Sequence, residues 1–221
     1  MDMYTQIDDP TSGSFVNDLS GKENHAQVHG SPIFHRCKSV TAGCMNALEF
    51  AAEDRLTVSH SASLNIAKQI TMEAWAQTTV SRAGYIMFKS GAYGFPKFVS
   101  NNNVFSYLHM RGLGGLGYPM FVVNQPEATD GNWHYFALTY DGKVIRYYLD
   151  GELSHKMKLV DTIRSSDRDI VIGHSQGANT YPDGPVHFAG KISALRISNR
   201  ARSPDEIRHS ARVGNYLLLK K

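Results

Sequence analysis

The sequence lacks the features that mark several common classes of protein. No apolar run approaches the roughly 20 residues that a membrane-spanning helix needs. Lysine and arginine are scattered along the chain instead of being gathered in one stripe, which argues against a nucleic-acid partner. The N-terminal segment MDMYTQIDDP has neither the basic start nor the apolar core of a signal peptide. We therefore expect no membrane span and no nucleic-acid ligand.

Cysteine is also scarce, since Cys37 and Cys44 are the only two in the chain. Two cysteines cannot form a disulfide-rich scaffold, and their spacing does not match the paired-cysteine pattern of zinc sites. In an exported protein they would close one small loop, at the low end of the roughly 2–4 kcal/mol that a disulfide contributes. In the cytosol they would be free thiols. We predict the disulfide, which favours an extracellular or cell-surface location.

Charged residues are few, at 19% of the chain, and the formal net charge is +3. A chain of 221 residues buries about 70% of the surface that it exposes when unfolded, so it needs neither a metal nor a disulfide to fold. No linker, low-complexity stretch or fixed-period repeat divides the sequence. This predicts a single domain over residues 1–221.

Alternation with a period of two is the dominant pattern that the sequence does contain. Residues 70–77 (ITMEAWAQ) place four apolar side chains on one face of a predicted strand. The strands predicted at 133–140 and 144–149 flank Asp141-Gly142, a strong hairpin signal, and Asp150-Gly151 predicts another tight reversal. Segments bounded by Gly, Pro or Asn predict further strands at 85–90, 97–100, 104–110, 119–124, 169–174 and 186–198.

Only one segment carries a clear helix signal. Ser203 precedes Pro204, and Glu206 follows three residues after the serine, which is the pattern of a capping box. We predict a short helix from Pro204 to Ala211 and a last strand at 215–219. Many short strands, one late helix and no alternation of strands with helices predict an all-β antiparallel sandwich or barrel.

Four segments, taken in order, resemble the laminin-G-like, concanavalin A-like family of jelly-roll domains. They are residues 12–32, 46–77 (with LEF and EAW), 131–153 (GNWHYFALTYDGKVIRYYLDGEL) and 188–207. The resemblance implies a two-sheet antiparallel jelly-roll sandwich with one short C-terminal helix. It also implies a carbohydrate-binding or protein-binding module, often attached to a secreted bacterial glycan-active protein. Fold alone does not give function, so these implications are expectations.

The resemblance further implies a structural calcium ion near Asp18 and Asn24. Calcium takes six to eight oxygen ligands, and the turn after Asp18 offers a carboxylate, backbone carbonyls and an amide. Ser193 stands in the closing strand where the family has a second acid, so the site would lose one charge and some affinity. The alternative is that Asp18 only caps a turn through hydrogen bonds to its own backbone.

Aromatic and polar residues in the predicted loops are the candidates for binding a polysaccharide or other glycan. Aromatic faces with amides and acids beside them, held on a rigid scaffold, suit hydroxylated rings. The main candidate loop is 174–185 (HSQGANTYPDGP), with the loops around 91–96 and 111–119 beside it. The alternative is that these residues occur there only as turn and edge residues. The predicted ligand-binding residues are Tyr93, Tyr118, His174, Gln176, Asn179, Tyr181 and Asp183.

The two tryptophans have mainly structural interpretations. Trp133 begins a strand of the family's hairpin motif, which predicts packing. Trp75 shares a strand face with Glu73 and Gln77, opposite the apolar stripe. That face would either line a sugar-binding surface or be covered by a loop. The family keeps an acid and a tryptophan here, which implies a structural role.

Catalysis is an alternative with less support in the sequence. A glycosidase needs two carboxylates about 5–10 Å apart, and no predicted strand carries acids at alternate positions. Gln27-Val28-His29 matches one alginate-lyase element by its letters only, and no Gly-x-Ser-x-Gly elbow occurs. The main hypothesis is a non-catalytic carbohydrate-binding or adhesive module. The alternatives are a structural or protein-binding domain in a surface assembly and, third, a polysaccharide lyase or glycosidase.

Overall fold

The computed structural model describes residues 3–5, 15–36, 46–51, 53–79, 84–99, 103–108, 110–112, 120–124, 126–174 and 187–214. These residues form sixteen strands and one α-helix. The strands are β1 (Met3–Thr5), β2 (Phe15–Val16), β3 (Ala26–His29), β4 (Ile33–His35), β5 (Ala47–Phe50), β6 (Arg55–Val58), β7 (Ile70–Gln77), β8 (Tyr85–Lys89), β9 (Tyr93–Val99), β10 (Asn103–Leu108), β11 (Met120–Asn124), β12 (Trp133–Tyr140), β13 (Val144–Leu149), β14 (Glu152–Lys158), β15 (Ile170–Ile172) and β16 (Gly190–Ser198). The helix is α1 (Pro204–Gly214).

The strands form two antiparallel sheets of eight strands each. The first sheet has the order β14-β13-β12-β7-β16-β5-β4, and β1 pairs with β16. The second sheet has the order β11-β10-β9-β8-β15-β6-β3-β2. Neighbours that are distant in sequence, such as β7 and β16, show that the chain crosses repeatedly between the sheets. The predicted two-sheet antiparallel jelly roll with one C-terminal helix is confirmed.

The main core lies between the sheets and consists of aliphatic and aromatic side chains. Phe98 of the second sheet contacts Phe136 of the first, with ring centroids 5.5 Å apart and nearly perpendicular planes. Phe188 contacts both Phe98 and Phe50. Full burial of such a side chain contributes about 1.5–3 kcal/mol, so the sum over the core dominates the stability of the sandwich.

Both predicted reversals around β13 are present. Gly142 and Gly151 have φ angles of +89° and +86°, a region that favours glycine. The Asp141 carboxylate accepts hydrogen bonds from the backbone N–H groups of Lys143 (2.9 Å) and Val144 (2.7 Å), which fixes the first turn. The predicted strands 133–140 and 144–149 match β12 and β13 residue for residue.

The predicted capping box is also present. The Glu206 N–H donates to Ser203 Oγ (3.3 Å), and the Ser203 N–H donates to Glu206 Oε2 (2.9 Å). The helix continues to Gly214, three residues beyond the predicted end at Ala211. The predicted strand at 215–219 lies outside the described residues.

One predicted loop is wrong, because residues 93–96 belong to a strand. The chain reverses at Gly91 (φ +77°), and β9 begins two residues later at Tyr93. Gly94 and Pro96 look like strand breakers in the sequence, but Pro96 lies where the pairing of β9 with β10 shifts register. A bulge tolerates proline because no ladder hydrogen bond from its nitrogen is needed there. Tyr93 is 0% exposed and belongs to the core.

Candidate functional site

Most of the predicted ligand-binding residues lie outside the described part of the chain. This holds for Tyr118, Gln176, Asn179, Tyr181 and Asp183, and also for Cys37 and Cys44. Tyr93 is buried in β9, so this residue was wrongly placed in an accessible loop. His174 is described: it forms a β-bridge with His187, and the two rings lie 5.9 Å apart. The predicted contact surface at 174–185 therefore stays a prediction.

The predicted calcium ligands Asp18 and Asn24 lie in a turn that closes on itself. The Asp18 carboxylate accepts hydrogen bonds from the Ser20 N–H (2.9 Å), the Ser20 hydroxyl (2.7 Å) and the Asn24 N–H (3.0 Å). Asn24 Oδ1 accepts a hydrogen bond from Ser61 Oγ (2.7 Å), and its amide donates to Ser63 Oγ (3.0 Å). This is the alternative arrangement, in which Asp18 caps a turn.

In this conformation the turn offers a calcium ion no carboxylate oxygen without a protein donor, and the calcium site stays a prediction. Calcium prefers several carboxylate and carbonyl oxygens that are free to point at it, whereas both Asp18 oxygens accept donors from the protein. Ser193, at the position of the family's second acid, donates instead to the Asn46 carbonyl (2.6 Å). Within the described ranges, no three His, Cys, Asp or Glu side chains group so that they could hold a metal.

A second, smaller core covers the outer face of the first sheet. Cross-strand pairing of Tyr135 with Trp75 places both aromatic side chains on this face, and their ring centroids lie 5.4 Å apart. Helix α1 covers them with Ile207 and Ala211. Trp75 is only 5% exposed. The face predicted to be either a sugar-binding surface or a covered one is therefore covered over most of its length.

Under the helix, five residues form what we call the Glu73 cluster: Glu73, Tyr135, Arg196, Arg202 and Ser210. Glu73 is only 1% exposed. Its carboxylate accepts hydrogen bonds from the Tyr135 hydroxyl and from Arg202. Arg196 Nη1 lies 3.7 Å from Glu73 Oε2, and Arg202 also donates to Ser210 Oγ (2.8 Å). Burial, and then the Glu73 charge, raise the pKa of Tyr135 well above its usual value, so the phenol stays a donor.

Beside this cluster the same face opens into a cavity of about 460 Å³. Three strand ends meet there, because antiparallel pairing aligns the end of β7, the start of β12 and the end of β13. The last turn of α1 forms the remaining wall. We call this the Trp133 cavity, and its lining consists of Trp75, Gln77, Asn132, Trp133, Asp150, Ala211 and Arg212.

Close backbone packing fixes the walls of the Trp133 cavity. A Cβ atom on Gly151 would lie 3.0 Å from Ala211 Cβ and 3.2 Å from Arg208 Cα, so glycine lets the β13–β14 turn approach the helix. On the opposite side, Gln77 Nε2 donates to the Gly131 carbonyl (2.7 Å) and holds the turn before β12.

A histidine joins the two turns that flank the cavity. His134 Nδ1 lies 2.8 Å from Asp150 Oδ2, and its Nε2 lies 3.1 Å from Asp130 Oδ1. The hydrogen bond to Asp150, opposed by burial and supported by Asp130, raises the pKa of His134 to about 8. Hydrogen bonds from Asn132 and His134 lower the pKa of Asp130 to about 2. At neutral pH, an imidazolium therefore lies between two carboxylates.

Several polar groups of the cavity have no protein partner within the described part of the chain. Gln77 and Asn132 each use the side-chain amide nitrogen, to Gly131 and to Asp130, and no hydrogen bond of either side-chain oxygen is seen there. Arg212 is exposed and makes no ion pair with a described residue. An indole surface surrounded by free amide oxygens and a guanidinium can bind a polar ligand with apolar C–H faces, such as a sugar.

Four of these lining residues were not predicted from the sequence: Gln77, Asn132, Asp150 and Arg212. The sequence predicts packing for Trp133, and it places Trp75 on a face that is either sugar-binding or covered. A signal did exist, because Gln77 and Trp75 alternate on the polar face of β7, and Asn132-Trp133 and Asp150 each adjoin a predicted strand end. Only the register between β7, β12 and β13 brings them together.

Comparison with known proteins reveals similar structures at low sequence identity. The binding domain of Paraclostridial Mosquitocidal Protein 1 is 10% identical with a TM-score of 0.71, over 95% of this chain and 51% of that one. The binding domain of botulinum neurotoxin DC, solved with rat synaptotagmin II, is 13% identical with a TM-score of 0.72. That match covers 97% of this chain and 51% of that one, so this chain spans about half the length of either neighbour.

The same neurotoxin domain in complex with SialylT matches with a TM-score of 0.69 at 13% identity, over 97% of this chain and 51% of that one. These likenesses show the fold. No curated protein sequence matches the chain. A family model described as the concanavalin A-like lectin/glucanases superfamily matches residues 50–208, which is more than half of the chain. The chain therefore belongs to the concanavalin A-like lectin/glucanases superfamily.

Proposed function

We propose that this protein is a non-catalytic carbohydrate-binding module and that the Trp133 cavity holds the sugar. The observation that carries the proposal is the lining itself, in which a partly exposed indole lies beside two amide oxygens that have no partner among the described residues. The structural neighbours support a binding role, since they are binding domains, one of them solved in complex with SialylT.

The carboxylates near the cavity favour binding over catalysis. Hydrolysis of a glycosidic bond needs two carboxyl groups on either side of the sugar, whereas Asp150 is the only described acid in the lining. Its Oδ1 accepts the Tyr135 N–H (2.8 Å), and its Oδ2 contacts His134 (2.8 Å). Glu73, the nearest buried acid, is held by Tyr135 and Arg202. Both acids are therefore engaged by protein groups, which favours binding over hydrolysis.

The test is titration calorimetry of the full chain against a panel of neutral and acidic oligosaccharides, with Trp133→Leu as the variant. We expect the variant to weaken binding about tenfold or more, because leucine lacks the flat face that a sugar ring contacts. Phe15→Leu is the matched control, since Phe15 is 56% exposed on β2 and does not line the cavity. Glycan binding that survives in Trp133→Leu would exclude the cavity.

A second candidate function, protein binding, rests on exposed apolar residues at one edge of the sandwich. Phe15 on β2 and Ile33 on β4 are 56% and 61% exposed, and each lies on an edge strand. The two strands lie at the same edge, because β3 pairs with β2 and is joined to β4 by three residues. One neighbour was solved with rat synaptotagmin II. Light scattering of the wild type and of Phe15→Ser would reveal self-association at this edge.

Among the described residues, no helix is long and apolar enough to cross a membrane.

We also propose that the protein acts outside the cell, where a disulfide between Cys37 and Cys44 would form and persist. Thiol titration of the unfolded chain tests the proposal, because an oxidised Cys37–Cys44 pair would leave no reactive thiol, whereas two reactive thiols would argue against an oxidising compartment.

A further inference from the structure

The two arginines of helix α1 differ in their ionic partners. Arg208 Nη1 lies 2.7 Å from Asp205 Oδ1, and Arg208 Nε lies 3.5 Å from Glu152 Oε1. Arg212, one turn later, lines the Trp133 cavity and pairs with none of the acids among the described residues. The guanidinium of Arg212 is therefore the one charge in the cavity wall that the described part of the protein leaves uncompensated.

Asp150, the only acid among the described residues of the lining, does not supply a partner for Arg212. The Asp150 carboxylate accepts the Tyr135 N–H through Oδ1 and contacts His134 Nδ1 through Oδ2. His134 contacts the Asp130 carboxylate through its other nitrogen. Since both partners are acceptors, both imidazole nitrogens must carry hydrogen, so His134 is a cation that offsets the Asp150 charge.

From this arrangement we propose that the Trp133 cavity selects sugars that carry a carboxylate, namely sialic acids or uronic acids. Arg212 pairs with the ligand carboxylate, Trp133 contacts the apolar face of the ring, and the oxygens of Gln77 and Asn132 accept hydrogen bonds from its hydroxyls. A guanidinium suits this role because its fork of N–H donors matches the two oxygens of a carboxylate. The inference rests on the proposed function, since it names the ligand class of the same cavity.

Two physical effects limit the strength of this pairing. The carbonyl end of α1 carries a partial negative charge, which opposes an anion close to the last turn. Arg212 is also exposed, so solvent and salt screen its interaction with the ligand. Affinity for the acidic sugar should consequently fall steeply as the salt concentration rises, whereas the contact with Trp133 should not change with salt.

The experiment compares acidic sugars with their neutral counterparts on the full chain. The probes are 3′-sialyllactose against lactose and trigalacturonate against galactotriose, each at low and high sodium chloride. The variants are Arg212→Gln, Arg212→Lys and Arg208→Gln. Arg208→Gln is the matched control, because it removes the same charge from the same helix at a position outside the cavity lining.

We expect tighter binding of at least one acidic sugar than of its neutral counterpart, and a loss of about tenfold in Arg212→Gln at low salt. Arg212→Lys should keep part of the preference, and Arg208→Gln should keep all of it. Which acidic sugar responds distinguishes a sialic acid from a uronic acid. Equal binding of acidic and neutral sugars, with both lost in Trp133→Leu, would overturn the inference and leave the proposed function standing. No binding of any sugar would overturn both.

Discussion

The outer face of the first sheet has two halves that use similar residues in opposite ways. In the Glu73 cluster, the carboxylate accepts hydrogen bonds from the Tyr135 phenol and from Arg202, and it lies within ion-pair distance of Arg196, all under helix α1. In the Trp133 cavity, a few residues away on the same strands, an arginine and two amide oxygens have no partner within the described part of the chain. The helix covers the first half and ends at the second.

Residue type alone does not identify a binding site in this protein. Glu73 and Trp75 are the residues of β7 that look most functional in the sequence, yet both are buried and used by the protein itself. Gln77 follows Trp75 by two residues, and no motif in the sequence marks it as functional. It lies where the helix no longer covers the sheet. The two halves differ in whether their polar groups already have partners within the described part of the protein, and not in the chemistry of those groups.

The Glu73 cluster should contribute more to the free energy of unfolding than the Trp133 cavity does. Glu73→Gln keeps the shape of the side chain but removes the nearer counter-charge of Arg202, a residue that is only 10% exposed and whose other ionic partner is Glu206 (Nε to Oε1, 3.9 Å). We expect the free energy of unfolding to fall by about 3–5 kcal/mol, measured by urea denaturation. Glu152→Gln is the control, because Glu152 pairs with Arg208 at 74% exposure, and its loss should cost at most about 1 kcal/mol. Similar costs for the two variants would contradict the distinction between the halves.

The boundary between the halves depends on Gly151. An alanine there would have a strained positive φ and would press against Ala211 and the Arg208 backbone. We expect Gly151→Ala to destabilise the protein by about 1–3 kcal/mol more than Gly21→Ala does. Gly21 has a similar φ (+78°) but no neighbour within 4 Å, so it isolates the backbone strain.

Because the helix would shift, sugar binding should weaken in Gly151→Ala but not in Gly21→Ala. Titration calorimetry of the two variants checks this expectation. Unchanged sugar binding in a clearly destabilised Gly151→Ala would mean that the helix does not define the cavity.

The free energy of unfolding should depend on pH through His134, which joins the two turns that flank the Trp133 cavity. Its pKa, about 8, lies above the ordinary value of 6.5, so the folded state holds the proton more tightly than the unfolded state. The stabilisation is complete below pH 6.5 and is lost as the pH rises through about 8. We expect a loss of roughly 1–2 kcal/mol over this window in urea denaturation.

His134→Gln should remove that part of the pH dependence, because a neutral amide does not titrate there. His209→Gln, an exposed position on α1, should preserve the wild-type profile and is the matched control. A His134→Gln profile that still falls between pH 6.5 and 8 would assign the effect to another group.

Local patterns predicted the fold well because they reflect local physics. The Asp-Gly turns, the period-two alternation of β7 and the capping box at Ser203 each depend on neighbouring residues, and each is present. The loop predicted at 91–96 failed because Pro96 is accommodated by a bulge that arises from pairing between β9 and β10. Nothing within the segment itself reveals that pairing.

The candidate cavity could not be predicted in the same way. Its walls come from four separate parts of the chain, and their meeting depends on strand register and on where α1 ends. The helix was predicted to end at Ala211, which would have removed Arg212 from the wall. The sequence predicts packing for Trp133 because it begins a strand, and its position at the end of that interior strand leaves it partly exposed.

The predicted calcium site at the Asp18 turn also depends on whether its polar groups already have protein partners. Of the effects predicted here, we expect the effect of calcium on stability to be the smallest. Both carboxylate oxygens accept hydrogen bonds from Ser20 and Asn24, so calcium would have to displace donors that already satisfy the charge. The melting temperature should therefore be the same in calcium and in EGTA. Asp18→Asn should lower it equally in both buffers, because the turn loses its acceptor whether or not calcium is present. A calcium-dependent rise that disappears in Asp18→Asn would restore the metal site implied by the family resemblance, and it would show that satisfied polar groups can still be recruited by a ligand.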